Sequence, residues 1–144
     1  MKLSDLQQQW QADCKMDEMA LDAESLKIPN LHSKYLALWN EERLNLRRHT
    51  QDYKNFYRLK WEYYSGKLSD EDLEEQGWEQ FHLKILRQDL DVYLQGDKQL
   101  GDFQQKIDYT KQKVDYLENI IKQLNGRGYL IKNAIDFMRF QTGA

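Results

Sequence analysis

The pattern of apolar and polar positions predicts one long helix from Asn30 to Gly66. On a helical wheel, aromatic and apolar residues fall on one side of this stretch, and cations form a stripe on another side. Pro29 fits the first turn of such a helix, and Gly66 fits a left-handed C-cap. Both predicted helix ends are therefore explained by a residue at that position. The apolar side holds Tyr35, Trp39, Leu46, Tyr53, Tyr57 and Tyr64, and the cationic stripe holds Arg43, Arg47, Lys54 and Arg58.

Two shorter amino-terminal helices are predicted before the long one. Ser4 is a good N-cap for the first of them, and Asp17 is a good N-cap for the second. Pro29 disfavours a helical conformation at Ile28, so we expect the second helix to end there. Both short helices would then fold back onto the long helix.

The middle of the chain has a weaker pattern. Residues 69–80 contain six acids and no base, which predicts an exposed loop or a short helix. Residues 80–96 have a helical pattern in their first half, whereas apolar and polar residues alternate as in a strand in their second half. The pattern therefore does not decide between helix and strand there.

The carboxy-terminal third predicts a helical hairpin. Apolar residues at positions 100–124 repeat at alternating spacings of three and four, which is a heptad seam. Residues 125–128 include two glycines and predict a break. The helix expected over residues 129–140 is apolar around most of its circumference, so it needs cover from other protein.

We expect neighbouring subunits to supply part of that cover, because a chain of this size has little protein of its own to spare. The seam alone does not say whether it packs against another subunit or against the same chain. An intramolecular bundle is therefore the alternative to an interface between subunits. The residues predicted to mediate oligomerisation are Tyr129, Ile131, Ile135, Met138, Leu117 and Ile121.

The length of 144 residues suits a single all-α domain. Within it we expect the amino-terminal and long helices over residues 1–66, an acidic connector over 67–97, and the hairpin over 98–144. The single cysteine, Cys14, builds no disulfide framework, which favours a reducing compartment. No stretch has the pattern of a signal peptide or a membrane span, so we expect a soluble intracellular protein without membrane contact.

The charge distribution points to a polyanionic partner. The net charge of -3 and the pI near 5.6 argue against a protein that coats nucleic acid through bulk charge. Residues 43–60, however, hold six Lys or Arg residues and only one acid. Any binding to a polyanion is therefore expected to use this patch.

Candidate catalytic chemistry is absent from the sequence. There is no glycine-rich phosphate loop and no arranged nucleophile with its base. Glu79 and His82 have the spacing of one half of a di-iron site, but His32 and His49 lack a matching glutamate for the other half. We expect a non-enzymatic protein with no cofactor and no metal.

Four motifs recur along the chain at characteristic distances. They are the opening MKLSDLQ, the run LHSKYL from Leu31, the triplet RLK from Arg58 followed by YYSG, and RGYLIK from Arg127. Taken in order, they resemble the UvsY recombination mediator family of T-even-type bacteriophages. The resemblance is close up to Gly66 and again from Gly126, and it is looser between them.

This resemblance implies a protein of the infected bacterial host's cytoplasm that assembles into a ring of about six or seven subunits. It also implies binding of single-stranded DNA, displacement of a single-strand-binding protein and loading of the phage recombinase. The family assigns DNA contact to the two basic residues before YYSG, which are Arg58 and Lys60 here. Arg43, Arg47 and Lys54 of the cationic stripe are the further DNA-binding candidates.

The helical wheel raises a difficulty for Lys60. Residues two positions apart on a helix point about 200° apart, so Arg58 joins the cationic stripe while Lys60 falls near the aromatic side. Either the long lysine stem curls round to the same strand, or Lys60 contacts DNA held by a neighbouring subunit.

The rival function is a helical coiled-coil adaptor or scaffold without DNA contact. A cationic helix face is often only a solvated surface, and aromatic residues at helical spacing more often pack in a core than stack on bases. The two functions differ in whether the protein binds single-stranded DNA with a steep dependence on salt.

Overall fold

The computed structural model describes residues 1–143 of the chain. These residues form α-helices and one short 3-10 helix, without a strand among them, so the predicted all-α class is confirmed. The helices are α1 (Leu3–Asp13), α2 (Leu21–Tyr64), α3 (Asp70–Gln76), a 3-10 helix (Arg87–Asp89), α4 (Leu90–Gln95) and α5 (Lys98–Thr142). None of the helices in the described part is long and apolar enough to cross a membrane.

The chain divides into two compact units, and α2 and α5 contribute to both. The first unit combines residues 1–44 with the part of α5 from Thr110, and the second unit comprises Asn45–Tyr109. In the first unit the core consists of Leu6, Tyr35, Leu117, Ile120 and Leu124.

The second unit has a core of leucines covered by aromatic rings. Leu90 and Leu94 of α4 and Leu100 of α5 are buried together. Rings from the last turns of α2 pack against them, and Phe56 also stacks on Phe103 with 4.9 Å between ring centroids. The carboxy-terminal part of α2 is therefore fixed by apolar packing on one side only.

The predicted start of the long helix is wrong. α2 begins at Leu21 and passes through Pro29, so the expected second short helix is its first part. Pro29 has no N–H to donate to the carbonyl of Ser25, four residues earlier in the helix. Both residues are exposed, so water can supply the missing hydrogen bond. Ser4 is likewise not the cap of α1, because that helix begins at Leu3.

The predicted break after the heptad seam is also wrong, and there is no carboxy-terminal hairpin. α5 continues through Gly126 and Gly128 to Thr142. Each glycine costs about 1 kcal/mol in a helix. That cost is offset by burial of Leu124 and Ile131, which lie on either side of the glycines. Tertiary packing thus overrides the weak local propensity.

The end of α2 at Gly66 is confirmed. Gly66 has φ +76°, and its N–H donates to the Tyr63 carbonyl at 3.1 Å. The Lys67 N–H donates to the Glu62 carbonyl at 2.9 Å. These two bonds form a Schellman motif, which reverses the chain and satisfies the last carbonyls of the helix.

The acidic stretch contains the short helix α3. Ser69 caps it by accepting a hydrogen bond from the Asp72 N–H at 3.2 Å, and Gly77 ends it at φ +70°. Beyond it, residues 77–86 are irregular, and the strand considered for the second half of residues 80–96 is instead α4.

Alanine substitutions at two glycines should have opposite effects on stability. Gly66→Ala places a Cβ in the left-handed region and should lower the free energy of unfolding by about 1–2 kcal/mol. Gly128→Ala lies inside α5 with open space around the new Cβ, and it should raise this free energy by about 0.5–1 kcal/mol. Urea unfolding followed by circular dichroism measures both. A stabilised Gly66→Ala variant would contradict the Schellman geometry.

Candidate nucleic-acid interface

Three cations of the predicted stripe are exposed on α2 within the second unit. Arg47 and Lys54 have no carboxylate within 4 Å among residues 1–143. The Arg58 side chain is 82% exposed, and its Nε lies 3.2 Å from Glu62 one turn further along the helix. An exposed pair of this kind contributes little and opens readily. Arg47, Lys54 and Arg58 thus offer positive charge to solvent.

Arg43, the fourth member of the predicted stripe, belongs to the first unit. Its guanidinium carbon lies 4.5 Å from the centroid of the Trp39 ring, and the residue is exposed. A guanidinium stacked on an indole keeps its edge donors free, so Arg43 can still bind an anion while its plane is fixed.

Lys60 occupies a different environment from Arg58. It is only 6% exposed, and its Nζ lies 3.0 Å from Oδ2 of Asp97 within the second unit. The Tyr64 hydroxyl donates to the same oxygen at 2.6 Å. Any contact between Lys60 and DNA therefore requires this buried ion pair to open.

Aromatic rings enclose the Lys60 ammonium group. The centroid of the Trp78 ring lies 4.0 Å from Nζ, and the rings of Tyr63 and Phe56 lie at 5.5 and 5.7 Å. The negative faces of aromatic rings attract a cation, most strongly where water is excluded. Of the rings on the aromatic side of the helical wheel, Tyr64 joins this cage, with its centroid 6.0 Å from Nζ.

Asp97 also caps α5. Its Oδ1 accepts a hydrogen bond from the Leu100 N–H at 2.9 Å, and its carbonyl accepts one from the Gly101 N–H at 3.0 Å. This is the N-cap arrangement, in which a carboxylate satisfies a free N–H of the first turn. One carboxylate thus binds both the start of α5 and the Lys60 ammonium of α2.

These contacts set the protonation states of Asp97 and Tyr64. Burial alone would raise the pKa of the Asp97 carboxyl, but hydrogen bonds from Tyr64, the Leu100 N–H and Lys60 hold it below its usual range. Burial and the hydrogen bond to Asp97 raise the pKa of the Tyr64 hydroxyl well above its usual range. At neutral pH the carboxylate is therefore charged and the phenol is protonated.

Sequence reasoning missed Asp97 and Trp78. A signal for Asp97 was present, because an aspartate three residues before the first seam residue, Leu100, has the spacing of an N-cap. No local signal identifies Trp78, since it reaches Lys60 only through the turn at Gly66 and helix α3.

The residues predicted to mediate oligomerisation fall into two groups. Leu117 and Ile131 are buried within the chain, and Ile121 packs against the core of the first unit. Ile135 is half-buried, whereas Tyr129 and Met138 are exposed. The end of α5 exposes further large apolar side chains, so its exposed set is Tyr129, Leu130, Phe137, Met138 and Phe140.

Potential metal ligands are not grouped in this structure. Among residues 1–143 there is no cluster of three or more His, Cys, Asp or Glu side chains that could hold a metal ion.

The described residues define an all-helical protein with exposed cations on one long helix and uncovered apolar side chains at the end of another. Residues 9–144 match the family described as "Recombination, repair and ssDNA binding protein UvsY". The chain belongs to this family, and the resemblance inferred from its motifs is confirmed.

Relatives in bacteriophage T4 are similar to the chain over almost its whole length. The recombination protein uvsY of Enterobacteria phage T4 is 23% identical over 143 residues, which is 99% of each protein. A crystal structure of the T4 recombination mediator protein UvsY in lattice type IV has a TM-score of 0.85 and 23% identity, and covers 97% of this chain and 99% of that one. The lattice type II structure has a TM-score of 0.85 and 22% identity, with coverages of 99% and 98%. These structures establish the shared fold.

Replacing Lys60 should destabilise the protein far more than replacing Arg58. Lys60→Met leaves the buried Asp97 carboxylate without its cation, which should lower the free energy of unfolding by about 3–5 kcal/mol. Arg58→Met removes an exposed charge and should change it by less than about 1 kcal/mol. Urea unfolding at neutral pH measures both.

A double variant provides the control for this comparison. Lys60→Met with Asp97→Asn removes both buried charges and keeps a side-chain oxygen at the cap of α5, so it should recover most of the lost stability. If Lys60→Met is no less stable than Arg58→Met, the ion pair with Asp97 does not hold α5 to α2.

Proposed function

We propose that this protein is a recombination mediator that acts as an oligomer on single-stranded DNA in the cytoplasm of the infected bacterial host. It binds the strand, helps to displace the single-strand-binding protein, and loads the phage recombinase at the start of the presynaptic filament. Its partners are these two proteins, the DNA and further copies of itself, and it acts without enzymatic chemistry. Membership of the UvsY family supports this function.

The observation that carries the proposal is the exposed positive charge of Arg47, Lys54 and Arg58. Three cations that project from one helix, with only Glu62 paired to one of them, match the spaced negative charges of a DNA backbone. Phosphate contacts carry no sequence information, so binding of this kind is sequence-independent. That property suits a mediator, which must act wherever a single strand is exposed.

Lys60 supports DNA binding indirectly in this proposal. Its charge stabilises the Asp97 cap of α5, and the resulting packing presents the opposite face of α2 to solvent. Arg58, two residues away, projects from that exposed face and contacts the strand.

Oligomerisation through the end of α5 multiplies these contacts. Phe140 is 80% exposed and Tyr129 is 75% exposed, and large apolar side chains with this exposure are typical of protein interfaces. A ring of about six or seven subunits would hold several cationic patches on one strand. Individually weak sites then combine into tight binding, because each later contact is intramolecular.

A strand that follows such a ring takes a path set by the spacing of the patches. We propose that this path is incompatible with the one imposed by the single-strand-binding protein, so binding of the mediator releases that protein. The DNA bases make no contact with the cationic patch in this arrangement, so most of them remain accessible to the recombinase.

Removing the exposed cations should lower the salt dependence of DNA binding. Each single-stranded phosphate contact contributes about 0.7 to the slope of log affinity against log salt concentration. Replacement of Arg47, Lys54 and Arg58 by alanine should therefore reduce this slope by up to roughly 2.1 per engaged subunit. Fluorescence anisotropy with oligothymidylate at several salt concentrations measures it.

Arg48→Ala is the matched control, because Arg48 is exposed on the same helix but lies off the stripe. The stable double variant Lys60→Met with Asp97→Asn should keep the wild-type slope. A reduced slope in that variant would assign a phosphate contact to Lys60 itself. If the wild-type protein does not bind oligothymidylate at low salt, the proposed mediator function is wrong and the protein is instead assigned the adaptor function.

Polar substitutions at the end of α5 should reduce the size of the assembly. Phe137→Gln and Phe140→Gln remove exposed apolar contacts without touching the cores, so smaller species should appear and DNA affinity should fall with them. Sedimentation velocity measures the mass. The control is Leu26→Gln with Leu44→Gln, which alters exposed leucines on α2. An unchanged mass in the phenylalanine variant would place the interface elsewhere.

A further inference from the structure

A cavity of about 280 Å³ lies in the second unit, where the chain turns back after α2. Its walls are one aromatic ring, aliphatic side chains, a hydroxyl and two cations. The residues that matter for its chemistry are Trp61, Lys67, Ile85, Leu86, Arg87 and Leu90. It lies outside the cationic stripe, and Lys67, Ile85 and Arg87 of its lining fall in the part of the chain where the motif resemblance is loosest.

The turn at Gly66 fixes one side of this cavity. The left-handed conformation of Gly66 directs the chain back along α2, and Lys67 is held by its N–H bond to the Glu62 carbonyl at 2.9 Å. The Lys67 ammonium consequently lies 4.9 Å from the centroid of the Trp61 ring. The ring is half-buried, so part of its surface faces the cavity.

The 3-10 helix and α4 form the other side. Arg87 begins the 3-10 helix, and Leu90 begins α4 with its side chain buried in the core of the second unit. Because Leu90 is anchored, the short helix that carries Arg87 is held beside the cavity. Leu86 is 64% exposed at the same edge, which leaves an apolar side chain available to a ligand.

The charges of this cavity favour an anion. Neither Lys67 nor Arg87 has a carboxylate within 4 Å in the described part of the chain, although the protein as a whole has an excess of acids. The residues that line the cavity include no acid. Two exposed cations beside an aromatic ring therefore form a cationic and apolar site in an acidic protein.

We propose that this cavity binds one nucleotide of single-stranded DNA, as a second contact that rests on the DNA binding proposed above. The base packs against Trp61, Ile85 and Leu86, and its phosphate binds Lys67 and Arg87. A base stacked on an aromatic ring with a neighbouring phosphate on lysine or arginine is the usual contact of single-strand-binding surfaces. The volume of about 280 Å³ is slightly below that of most ligand cavities, which begin at roughly 300 Å³, and so suits a single base.

An acidic peptide is the competing ligand, because it would also meet Lys67 and Arg87. The flat indole and the aliphatic wall distinguish the two ligands, since a carboxylate side chain leaves these surfaces uncovered whereas a base covers them. The base also distinguishes this cavity from the cationic stripe, where only phosphates are bound.

The test compares DNA with and without bases. Wild-type protein should bind oligothymidylate more tightly than an abasic oligonucleotide of equal length, by roughly 5- to 150-fold per stacked base. Lys67→Ala with Arg87→Ala should reduce the salt slope by about 0.7 per engaged subunit, because both cations bind the same phosphate. Trp61→Leu should remove the preference for bases, with circular dichroism to check that the variant folds.

The matched control is Arg48→Ala with Lys98→Ala, which removes one arginine and one lysine from exposed positions of the same unit. An equal loss of salt slope in this control would overturn the proposed nucleotide site, because bulk charge would then explain the slopes of both double variants. The proposal also fails if the Lys67 and Arg87 variant binds oligothymidylate like the wild type but loses binding to a polyglutamate peptide. The cavity would then be a protein contact.

Failure of the cavity and failure of the proposed function give different results. If the Lys67 and Arg87 variant keeps the wild-type slope while the Arg47, Lys54 and Arg58 variant loses it, DNA binding stands without the cavity. If the wild-type protein binds neither oligonucleotide, both proposals fall.

Discussion

The buried carboxylate of Asp97 holds the beginning of α5 against the end of α2. A charge removed from water needs compensation from partners, and Asp97 obtains it from the Lys60 ammonium, the Tyr64 hydroxyl and the Leu100 N–H. These partners come from two different helices. The electrostatic requirement of one side chain therefore fixes where α5 begins, how the end of α2 is oriented, and which of its faces remains exposed.

This arrangement divides the basic residues into two kinds. Lys60 is buried and paired with Asp97, and Lys113 is buried and paired with Glu42. Their charges are therefore neutralised within the protein. Arg58 and its exposed neighbours have weak partners or none within 4 Å, so their charges act on the surroundings. A count of lysines and arginines along the sequence does not distinguish the buried, paired cations from the exposed ones. Only the second kind is accessible to an anion at the surface.

The features that could be predicted from the sequence depend on local chemistry. The all-helical class follows from apolar periodicity, and the end of α2 follows from the freedom of Gly66 to adopt a positive φ. The failures at Pro29 and at the glycines of α5 have different causes. At Pro29, water can supply the hydrogen bond that the proline removes, whereas at the glycines the packing of Leu124 and Ile131 exceeds a propensity cost of about 1 kcal/mol each. The burial of Lys60 depends on Asp97 and Trp78, which are distant in sequence, so no local pattern contains it.

The same physics explains how an acidic protein can hold a polyanion. The net charge is negative, so it gives no overall attraction to a polyanion, and binding is favoured only where cations lack acidic neighbours. In the proposed assembly each subunit would offer only a few such contacts, and each one would weaken as salt rises. An assembly held together by apolar side chains at the end of α5 would be insensitive to that salt, since hydrophobic association does not depend on charge screening. The assembly would then keep the weak DNA contacts at a high effective concentration, and DNA would still be released when individual contacts open in turn.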